Sequence, residues 1–253
     1  MAKRETFRGD KRITTAIILA AGFGTRMLGL TKKVPKPLIK VNGVPLIDHV
    51  INRLLEGGIE RLVVNLHYLG TQIEEHLKVR RSPKIFFSWE KDSPLETGGG
   101  VKLALPKIGK LPFWVINSDS IWLNGPTAMM KRMEQIWDSR KMDALLLLQS
   151  TVDSHGYEGP GDFNLDPEGR VSRRREREVC PWLFSGIQII NPKVFLKISQ
   201  RSFSLNLIFE EAIKNKRLFG IVHDGEWFHV GTPEGLKEVE EYMKIPFASH
   251  KRR

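Results

Sequence analysis

Short apolar runs alternate with amphipathic helical patterns over the first 150 residues, and this alternation restricts the fold more than any other feature. Each run has the length of a buried strand, whereas the segments between them repeat apolar residues at helical intervals. The alternation predicts right-handed βαβ units and an α/β fold with a mostly parallel sheet covered on both faces. The predicted strands are residues 15–19, 62–64, 85–87, 113–116 and 144–148.

Helices are predicted between these strands, at residues 46–55, 73–77, 100–105 and 126–137. Pro45 is suited to the start of the first helix, and two glycines end it. The third helix is expected to stop before Pro106. After residue 150 the sequence predicts loops around short strands at 171–173, 183–190 and 218–222, with helices at 203–214 and 233–243.

The formal net charge is +11, which raises the question of nucleic-acid binding. Residues 1–12 hold +3 of this excess and residues 244–253 hold +4, so the body of the chain is only mildly basic. It shows no basic stripe with interleaved aromatic residues, as single-strand binders use. We therefore predict basic tails at 1–12 and 245–253, one domain at 13–244 with halves divided near residue 150, and no nucleic-acid partner.

Cysteine usage and hydropathy indicate the compartment. Cys180 is the only cysteine, so no internal disulfide can form and a reducing cytoplasm is expected. No run approaches the ~20 apolar residues of a membrane span, so no membrane partner is expected. Residues 1–5 lack the apolar segment of a secretory signal.

A glycine loop, residues 22–27, follows directly on the first predicted strand. It is not a dinucleotide fingerprint, because the third glycine of that motif falls on Met27. It is not a Walker A loop, because Leu30 stands where that motif requires lysine. What remains is a flexible backbone whose N–H groups suit an anion, with the cationic Arg26 beside it. Taken alone, such a loop is better explained as a tight turn.

Lys36 lies ten residues after Arg26, between Pro35 and Pro37. The two prolines restrict the backbone on both sides of the lysine. Such bracing is useful when an ammonium group must lie beside developing phosphate charge. Together with the glycine loop, this arrangement favours a site role for Lys36 over an ordinary surface position.

Asp119 ends a polar triplet, Asn117-Ser118-Asp119, which follows the predicted strand at 113–116. In open α/β sheets ligands bind at the carboxyl ends of strands, and the glycine loop leaves the same edge. A carboxylate there suits Mg²⁺, which combines oxygen ligands with phosphates and water. We favour this role over that of a turn or N-cap aspartate.

Seven segments together resemble one family, the sugar-1-phosphate nucleotidylyltransferases. The resemblance runs from about residue 14 to residue 242, in a fixed order and spacing. The segments are residues 19–27, 35–38, 43–47, 96–100, 117–119, 184–187 and 230–234.

The resemblance implies a Rossmann-like three-layer α/β/α fold with a mixed, mostly parallel central sheet. It implies transfer of a nucleoside monophosphate from an NTP to a sugar 1-phosphate, with release of pyrophosphate. The nucleotide is assigned to about residues 13–150 and the sugar to about 151–244. The catalytic residues it implies are Arg26, Lys36 and Asp119. The nucleotide contacts it implies are Leu19, Ala20, Ala21, Gly22, Gly24, Thr25, Arg26, Gly98 and Gly99. The sugar-phosphate contacts are Asn117, Asp162, Gly186 and His229.

The resemblance also implies Mg²⁺ at Asp119, with Mn²⁺ as an alternative. Much of the family has a second metal-binding aspartate two residues before a Gly-Thr-Pro motif, where this chain has His229. Neutral imidazole is a poorer partner for Mg²⁺ than carboxylate is. His229 therefore has three open roles at the site: a ligand through nitrogen, a ligand through water, or a contact of the sugar phosphate. A purely structural histidine competes with all three.

Residues 159–171 resemble the sugar-facing segment of compact bacterial enzymes that make UDP-N-acetylmuramic acid for cell-wall recycling. The expected substrates are therefore UTP and N-acetylmuramate 1-phosphate. Mannose-1-phosphate guanylyltransferases, which use GTP and make GDP-mannose, share much of the same frame and are the alternative. A non-catalytic regulatory subunit that binds a nucleotide sugar is the alternative of another class. Intact Lys36 and Asp119 argue against it, whereas His229 leaves it open.

Overall fold

The computed structural model describes residues 12–244, except for the side chain of Leu28. Six α-helices lie in this part of the chain: α1 (Leu46–Glu56), α2 (Gly70–Leu77), α3 (Glu96–Ile108), α4 (Met129–Ile136), α5 (Asn206–Lys214) and α6 (Pro233–Lys244). Fourteen strands accompany them: β1 (Thr15–Leu19), β2 (Lys40–Val41), β3 (Val44–Pro45), β4 (Arg61–Leu66), β5 (Lys84–Trp89), β6 (Phe113–Asn117), β7 (Ser120–Leu123), β8 (Ala144–Ser150), β9 (Ser154–His155), β10 (Phe163–Leu165), β11 (Val171–Arg173), β12 (Trp182–Ile190), β13 (Leu218–Val222) and β14 (Glu226–His229).

A nine-stranded mixed sheet forms the centre of the fold. Strands β5, β4, β1 and β6 are parallel neighbours in that order. Strand β12 follows β6 and runs antiparallel to it and to β8, which in turn pairs in parallel with β13. The β10–β11 hairpin joins at the start of β12. Strands from both halves of the chain thus share one sheet.

Helices cover both faces of this sheet. Successive β1 residues point to opposite faces, so Ile17 belongs to one buried cluster and Ile18 to another. The Ile18 face packs against α1, α2 and α4, whereas the Ile17 face packs against α3 and α5. The predicted three-layer α/β/α architecture with a mixed, mostly parallel sheet is confirmed.

A second, three-stranded sheet in the order β7-β14-β9 was not predicted. Strand β7 begins directly after Asp119, and β14 ends at His229, which pairs with Ser120. Helix α6 follows, and its Val239 joins a small buried cluster with Phe228 and Met27. The small sheet therefore brings the C-terminal part of the chain to the loop that follows β6.

The predicted boundaries of four helices are wrong. Helix α2 begins at Gly70 rather than at residue 73. Helix α3 begins at Glu96 rather than residue 100 and passes through Pro106, which lies in the last turn where one intrahelical hydrogen bond is lost. Helix α4 begins at Met129 because the Asn124 side chain accepts a hydrogen bond from its N–H. Helix α5 begins at Asn206 because the backbone of Phe203 is bonded to the α3 segment.

The predicted basic tails lie outside the described residues, with one exception. The guanidinium of Arg12 donates a hydrogen bond to the Gly57 carbonyl, so this residue is anchored to the end of α1. No helix within residues 12–244 is long and apolar enough to span a membrane.

His223, which follows β13, is buried in its neutral form. Its Nε2 lies 3.1 Å from the Leu123 carbonyl and 3.3 Å from the Glu226 carbonyl, so this nitrogen carries the hydrogen. Its Nδ1 is buried without a hydrogen-bond partner. Burial lowers the pKa of His223 below its ordinary value.

We expect the free energy of unfolding to fall as the pH drops from 7.5 to 5.5. The unfolded chain binds a proton at His223 below about pH 6.5, and the folded chain resists it, so protonation favours unfolding. This contribution is at most about 1.4 kcal/mol at pH 5.5. His223→Gln keeps a donor toward the two carbonyls and does not titrate, so urea denaturation should show a smaller loss in the variant. Equal losses in both proteins would contradict the assignment.

Candidate active site

The candidate site lies where β1 and β6 end side by side. Leu19, the last residue of β1, pairs with Asn117 of β6 on one side and with Asn65 of β4 on the other. The chain builds β4 and β5 on one side of β1 and then returns to place β6 on the other side. Such a reversal of strand order opens a crevice at the carboxyl edge, where α/β proteins bind ligands.

Gly24 shapes the glycine loop. Its φ of +64° is left-handed, and a Cβ there would lie 2.9 Å from Thr31 Cγ2 and 3.0 Å from Lys36 Cβ. Its carbonyl accepts a hydrogen bond from the Thr31 hydroxyl at 3.1 Å. The glycine therefore allows the loop to close tightly over Lys36.

Lys36 and Asp119 form an ion pair at the base of this crevice. Lys36 Nζ lies 2.5 Å from Asp119 Oδ2, and both side chains are largely buried, with 11% and 18% exposed. The Asp119 carbonyl accepts the Val230 N–H at 3.0 Å, which ties the end of β14 to the same point. The pair therefore joins the loops after β1, β6 and β14.

Electrostatics keep Asp119 ionised and His229 neutral. Burial raises the pKa of Asp119, but nearby positive charge, chiefly that of Lys36, and a hydrogen bond from Lys36 lower it by more. Burial lowers the pKa of His229, and the Asp119 carboxylate, which raises it, does not compensate. The charges of Lys36 and Arg26 lower it further. At neutral pH His229 thus offers an uncharged imidazole.

Two cavities meet at Arg26 and Asn117. The first, of about 290 Å³, is lined by Leu19, Ala20, Gly22, Gly24, Thr25, Arg26, Lys36, Pro37, Thr97, Asn117, Ser118, Asp119 and Gly231. The second, of about 410 Å³, is lined by Arg26, Asn117, Ser120, Gly156, Tyr157, Glu158, Gly159, Leu183, Phe184, Ser185, Gly186, Trp227 and His229. Because Arg26 lines both cavities, two phosphate-bearing molecules bound side by side could both contact its guanidinium.

The His229 ring stacks on the Trp227 ring at 6.0 Å between centroids and packs against Gly231, where a Cβ would lie 2.2 Å from its Nε2. Trp227 is itself fixed, because its Nε1 donates to the Ser185 carbonyl at 3.0 Å. The imidazole is therefore held rigidly in the wall of the second cavity, close to Asp119.

A bulge in β12 forms another wall of the second cavity. The register shifts between Phe184 and Gln188, and Gly186 in between has a φ of +79°. A Cβ on Gly186 would lie 2.6 Å from Asn117 Nδ2, so this glycine makes room for the Asn117 side chain. Asp162 supports the bulge, because its Oδ2 accepts the Phe184 N–H at 2.9 Å.

Comparison with known proteins assigns the family. A family model described as nucleotidyl transferase matches residues 15–244. The chain belongs to the nucleotidyl transferase family. The resemblance noted from the sequence is confirmed.

Relatives cover nearly the whole of this nucleotidyl transferase. It is 38% identical to N-acetylmuramate alpha-1-phosphate uridylyltransferase from Caulobacter vibrioides, over 89% of this chain and 95% of that protein. It is 28% identical to mannose-1-phosphate guanylyltransferase catalytic subunit beta from Drosophila melanogaster, over 87% of this chain and 60% of that protein. HddC from Yersinia pseudotuberculosis, solved in complex with GMP-PN, superposes with a TM-score of 0.73 at 25% identity, over 91% of this chain and 100% of that one.

Most of the predicted site residues of this nucleotidyl transferase line one of the two cavities. Two glycines differ from the expectation. The N–H groups of Gly98 and Gly99 both donate to the Phe203 carbonyl, at 2.8 and 3.0 Å. A Cβ on Gly98 would lie 2.4 Å from the Phe203 ring. These glycines serve close packing of α3, and Thr97 is the residue of this segment that lines the first cavity.

Two further predicted residues lie beside the cavities rather than in their linings. Ala21 is buried in the glycine loop, and Asp162 acts on the second cavity through the backbone of Phe184. Sequence reasoning missed Thr97, Tyr157 and the small sheet. Thr97 lay in a recognised segment, whereas nothing local marks a two-residue strand such as β9.

The donor set for a divalent metal is small. Among residues 12–244 no group of three or more histidine, cysteine or carboxylate side chains is placed to hold an ion. Asp119 provides one carboxylate and His229 one neutral nitrogen nearby. This set fits Mg²⁺ only in the manner usual for nucleotide enzymes, where substrate phosphates and water complete the shell.

The geometry predicts that alanine lowers the free energy of unfolding at one glycine of the loop and leaves it unchanged at another. Gly24→Ala should lower the free energy of unfolding by ~1–3 kcal/mol, because it strains a left-handed residue and crowds Thr31. Gly22→Ala is the matched control, since a Cβ there meets nothing within 4 Å, and it should change stability by no more than ~0.5 kcal/mol. Urea denaturation without ligand measures both. A destabilised Gly22 variant beside an unaffected Gly24 variant would contradict this loop geometry.

Proposed function

We propose that this nucleotidyl transferase transfers UMP from UTP to N-acetylmuramate 1-phosphate, giving UDP-N-acetylmuramate and pyrophosphate. The observation that carries the reaction class is the pair of cavities that meet at Arg26, with the Lys36–Asp119 pair beside them. The choice of substrates is supported by the two relatives that act on N-acetylmuramate 1-phosphate, which are 38% and 36% identical to this chain.

In the proposed mechanism a phosphate oxygen of the sugar 1-phosphate attacks the α-phosphorus of the NTP. The new bond joins this oxygen to the α-phosphorus, the bond between the α-phosphorus and its bridging oxygen breaks, and pyrophosphate departs with the electron pair. The nucleophile is already an anion, so neither a general base nor a covalent enzyme intermediate is needed. Catalysis then consists of positioning and charge neutralisation.

We assign a separate task to each of three side chains. Arg26 is exposed and lines both cavities, so in this mechanism it would contact the pyrophosphate portion and the incoming phosphate. Lys36 is buried and braced, so its ammonium is preorganised for charge at the α-phosphate. His229 is neutral and held by Trp227, and in this mechanism it would hydrogen-bond the sugar phosphate.

Mg²⁺ is the metal that we propose for Asp119, with Mn²⁺ as a substitute that tolerates a nearby imidazole better. When bound, the ion would supply further positive charge to the triphosphate. Asp119 would hold it while also accepting the hydrogen bond of Lys36, and the phosphates would provide the remaining oxygens.

A GTP-dependent reaction with mannose 1-phosphate is the alternative. It is favoured by the guanylyltransferase relatives at 27–31% identity and by the HddC structure in complex with GMP-PN. A non-catalytic role as a subunit that binds a nucleotide sugar is the alternative of another class. The intact Lys36–Asp119 pair disfavours it.

A substrate panel tests the proposal. Each of UTP, GTP, CTP, ATP and dTTP is mixed with Mg²⁺ and with N-acetylmuramate, mannose or glucose 1-phosphate, and released pyrophosphate is measured. We expect UTP with N-acetylmuramate 1-phosphate to give the highest kcat/KM. A preference for GTP with mannose 1-phosphate supports the alternative, and no turnover with any pair would contradict a catalytic role.

Lys36→Met should lower kcat for the preferred pair roughly a hundredfold or more, the size of losing one preorganised electrostatic contact. Lys33→Met is the matched control, because Lys33 is exposed in the same loop, and its kcat should stay within about twofold. Melting curves verify that both variants fold. A Lys36 variant with normal turnover would exclude the proposed role.

A further inference from the structure

Two buried side chains outside the catalytic machinery form a hydrogen-bonded bridge beneath the first cavity. Asn65 Oδ1 accepts the Ala20 N–H at 2.7 Å. Asn65 Nδ2 donates to Glu90 Oε1 at 2.7 Å. Glu90 Oε2 accepts the Leu95 N–H at 2.7 Å. The Asn65–Glu90 bridge thus connects two backbone amides that are 75 residues apart in the sequence.

The bridge is sealed from water. Asn65 and Glu90 are each only 3% exposed, and Glu90 has no ion-pair partner within the described part of the chain. Gly100 lies directly against both, since a Cβ there would lie 2.6 Å from Glu90 Oε1 and 2.7 Å from Asn65 Nδ2. Burying a carboxylate is unfavourable unless hydrogen bonds compensate for the lost water. A fully hydrogen-bonded bridge of this kind therefore fixes the positions of the backbone groups that it binds.

The amides that it holds belong to two separate segments that supply lining residues of the cavity. Ala20 continues from β1 and lines the cavity itself. Leu95 precedes Glu96, which has a left-handed φ of +59°, and Thr97, which also lines the cavity. The Leu95 carbonyl also accepts the Phe203 N–H, so Leu95, which precedes the turn that presents Thr97, is held through both its N–H and its carbonyl.

The charged part of the cavity lies elsewhere. Arg26, Lys36 and Asp119 are suited to phosphates and metal, whereas Leu19, Ala20 and Thr97 offer neutral surfaces. We propose that Asn65 and Glu90 are positioning residues for the nucleoside half of the NTP, because they fix the spacing of the neutral walls before the nucleotide arrives. This proposal rests on nucleotidyl transfer but not on the identity of the sugar.

The bridge has one permitted pattern of donors and acceptors, which makes it testable. One oxygen of residue 65 must accept the Ala20 N–H, and one oxygen of residue 90 must accept the Leu95 N–H. The hydrogen bond between the two side chains then needs a donor on one of them and an acceptor on the other. Glu90→Gln introduces a second amide, and one donor must then face another donor. Asn65→Asp introduces a second carboxylate, and two acceptors then face each other.

Combining the two substitutions restores one donor and one acceptor between the side chains, with the amide now at position 90 and the carboxylate at position 65. In the double variant the new carboxylate at position 65 accepts the Ala20 N–H and also a hydrogen bond from the new amide at position 90. The oxygen of that amide accepts the Leu95 N–H. Charge and volume are conserved overall, so the double variant separates the hydrogen-bond pattern from effects of size.

The experiment measures equilibrium binding of UTP and of inorganic pyrophosphate, each with Mg²⁺, by calorimetry on the full chain without sugar. Glu90→Gln should weaken UTP binding about tenfold, the effect of one unsatisfied buried amide. Pyrophosphate binding should stay within about twofold, because Lys36 is held by Asp119 and not by the bridge. The double variant should recover UTP binding to within about threefold of the natural chain.

Asp143→Asn is the matched control. Asp143 lies at the amino end of β8, away from the carboxyl ends of the strands where the site lies. Its carboxylate accepts a hydrogen bond from Arg217 Nε at 2.8 Å. The variant should lose stability without a change in UTP binding. The proposal is overturned if Glu90→Gln binds UTP normally, if UTP and pyrophosphate binding weaken equally, or if a folded double variant binds UTP as weakly as Glu90→Gln. Because no sugar is present, a wrong sugar assignment leaves this test unaffected.

Discussion

The ion pair between Lys36 and Asp119 is the interaction on which the rest of the site depends. Burying two opposite charges costs desolvation, which is recovered only when the geometry is good and the surrounding groups are fixed. Here Pro35 and Pro37 restrict the lysine backbone, Gly24 closes over its side chain, and β14 is bonded to the Asp119 carbonyl. The pair therefore holds a positive group ready for a polyanion in a partly dry crevice.

The position of this pair follows from the order of the strands. Because β1 and β6 are parallel neighbours, their following loops leave the same edge, and the glycine loop meets the aspartate without a long connection. The small sheet then brings His229 to the same place from a distant part of the chain. A neutral imidazole lies where the resemblance leads us to expect a carboxylate in much of the family. Among the residues that the structure describes, Asp119 is the only carboxylate lining the first cavity.

Much of this arrangement could be predicted from the sequence, because its signals are local. Apolar runs located β1, β4, β5, β6 and β8, and the rule for strand ends placed Asp119 beside the glycine loop. The start of α3 and the packing role of Gly98 could not be found, because they depend on Phe203, which lies over 100 residues away. Asn65 lies near the carboxyl end of β4, so the rule that ligands bind at strand ends applied to it as well as to Asp119. No sequence motif drew attention to Asn65.

The most direct measurement of the central claim is a double-mutant cycle on Lys36 and Asp119, read out as the single-turnover rate of nucleotidyl transfer. In the proposed mechanism the two residues act as one unit on one α-phosphate. Lys36→Met combined with Asp119→Asn should then be about as slow as the slower single variant, since groups that act together are strongly non-additive. Rate losses that multiply in the double variant would show that the two residues act independently and would contradict the account.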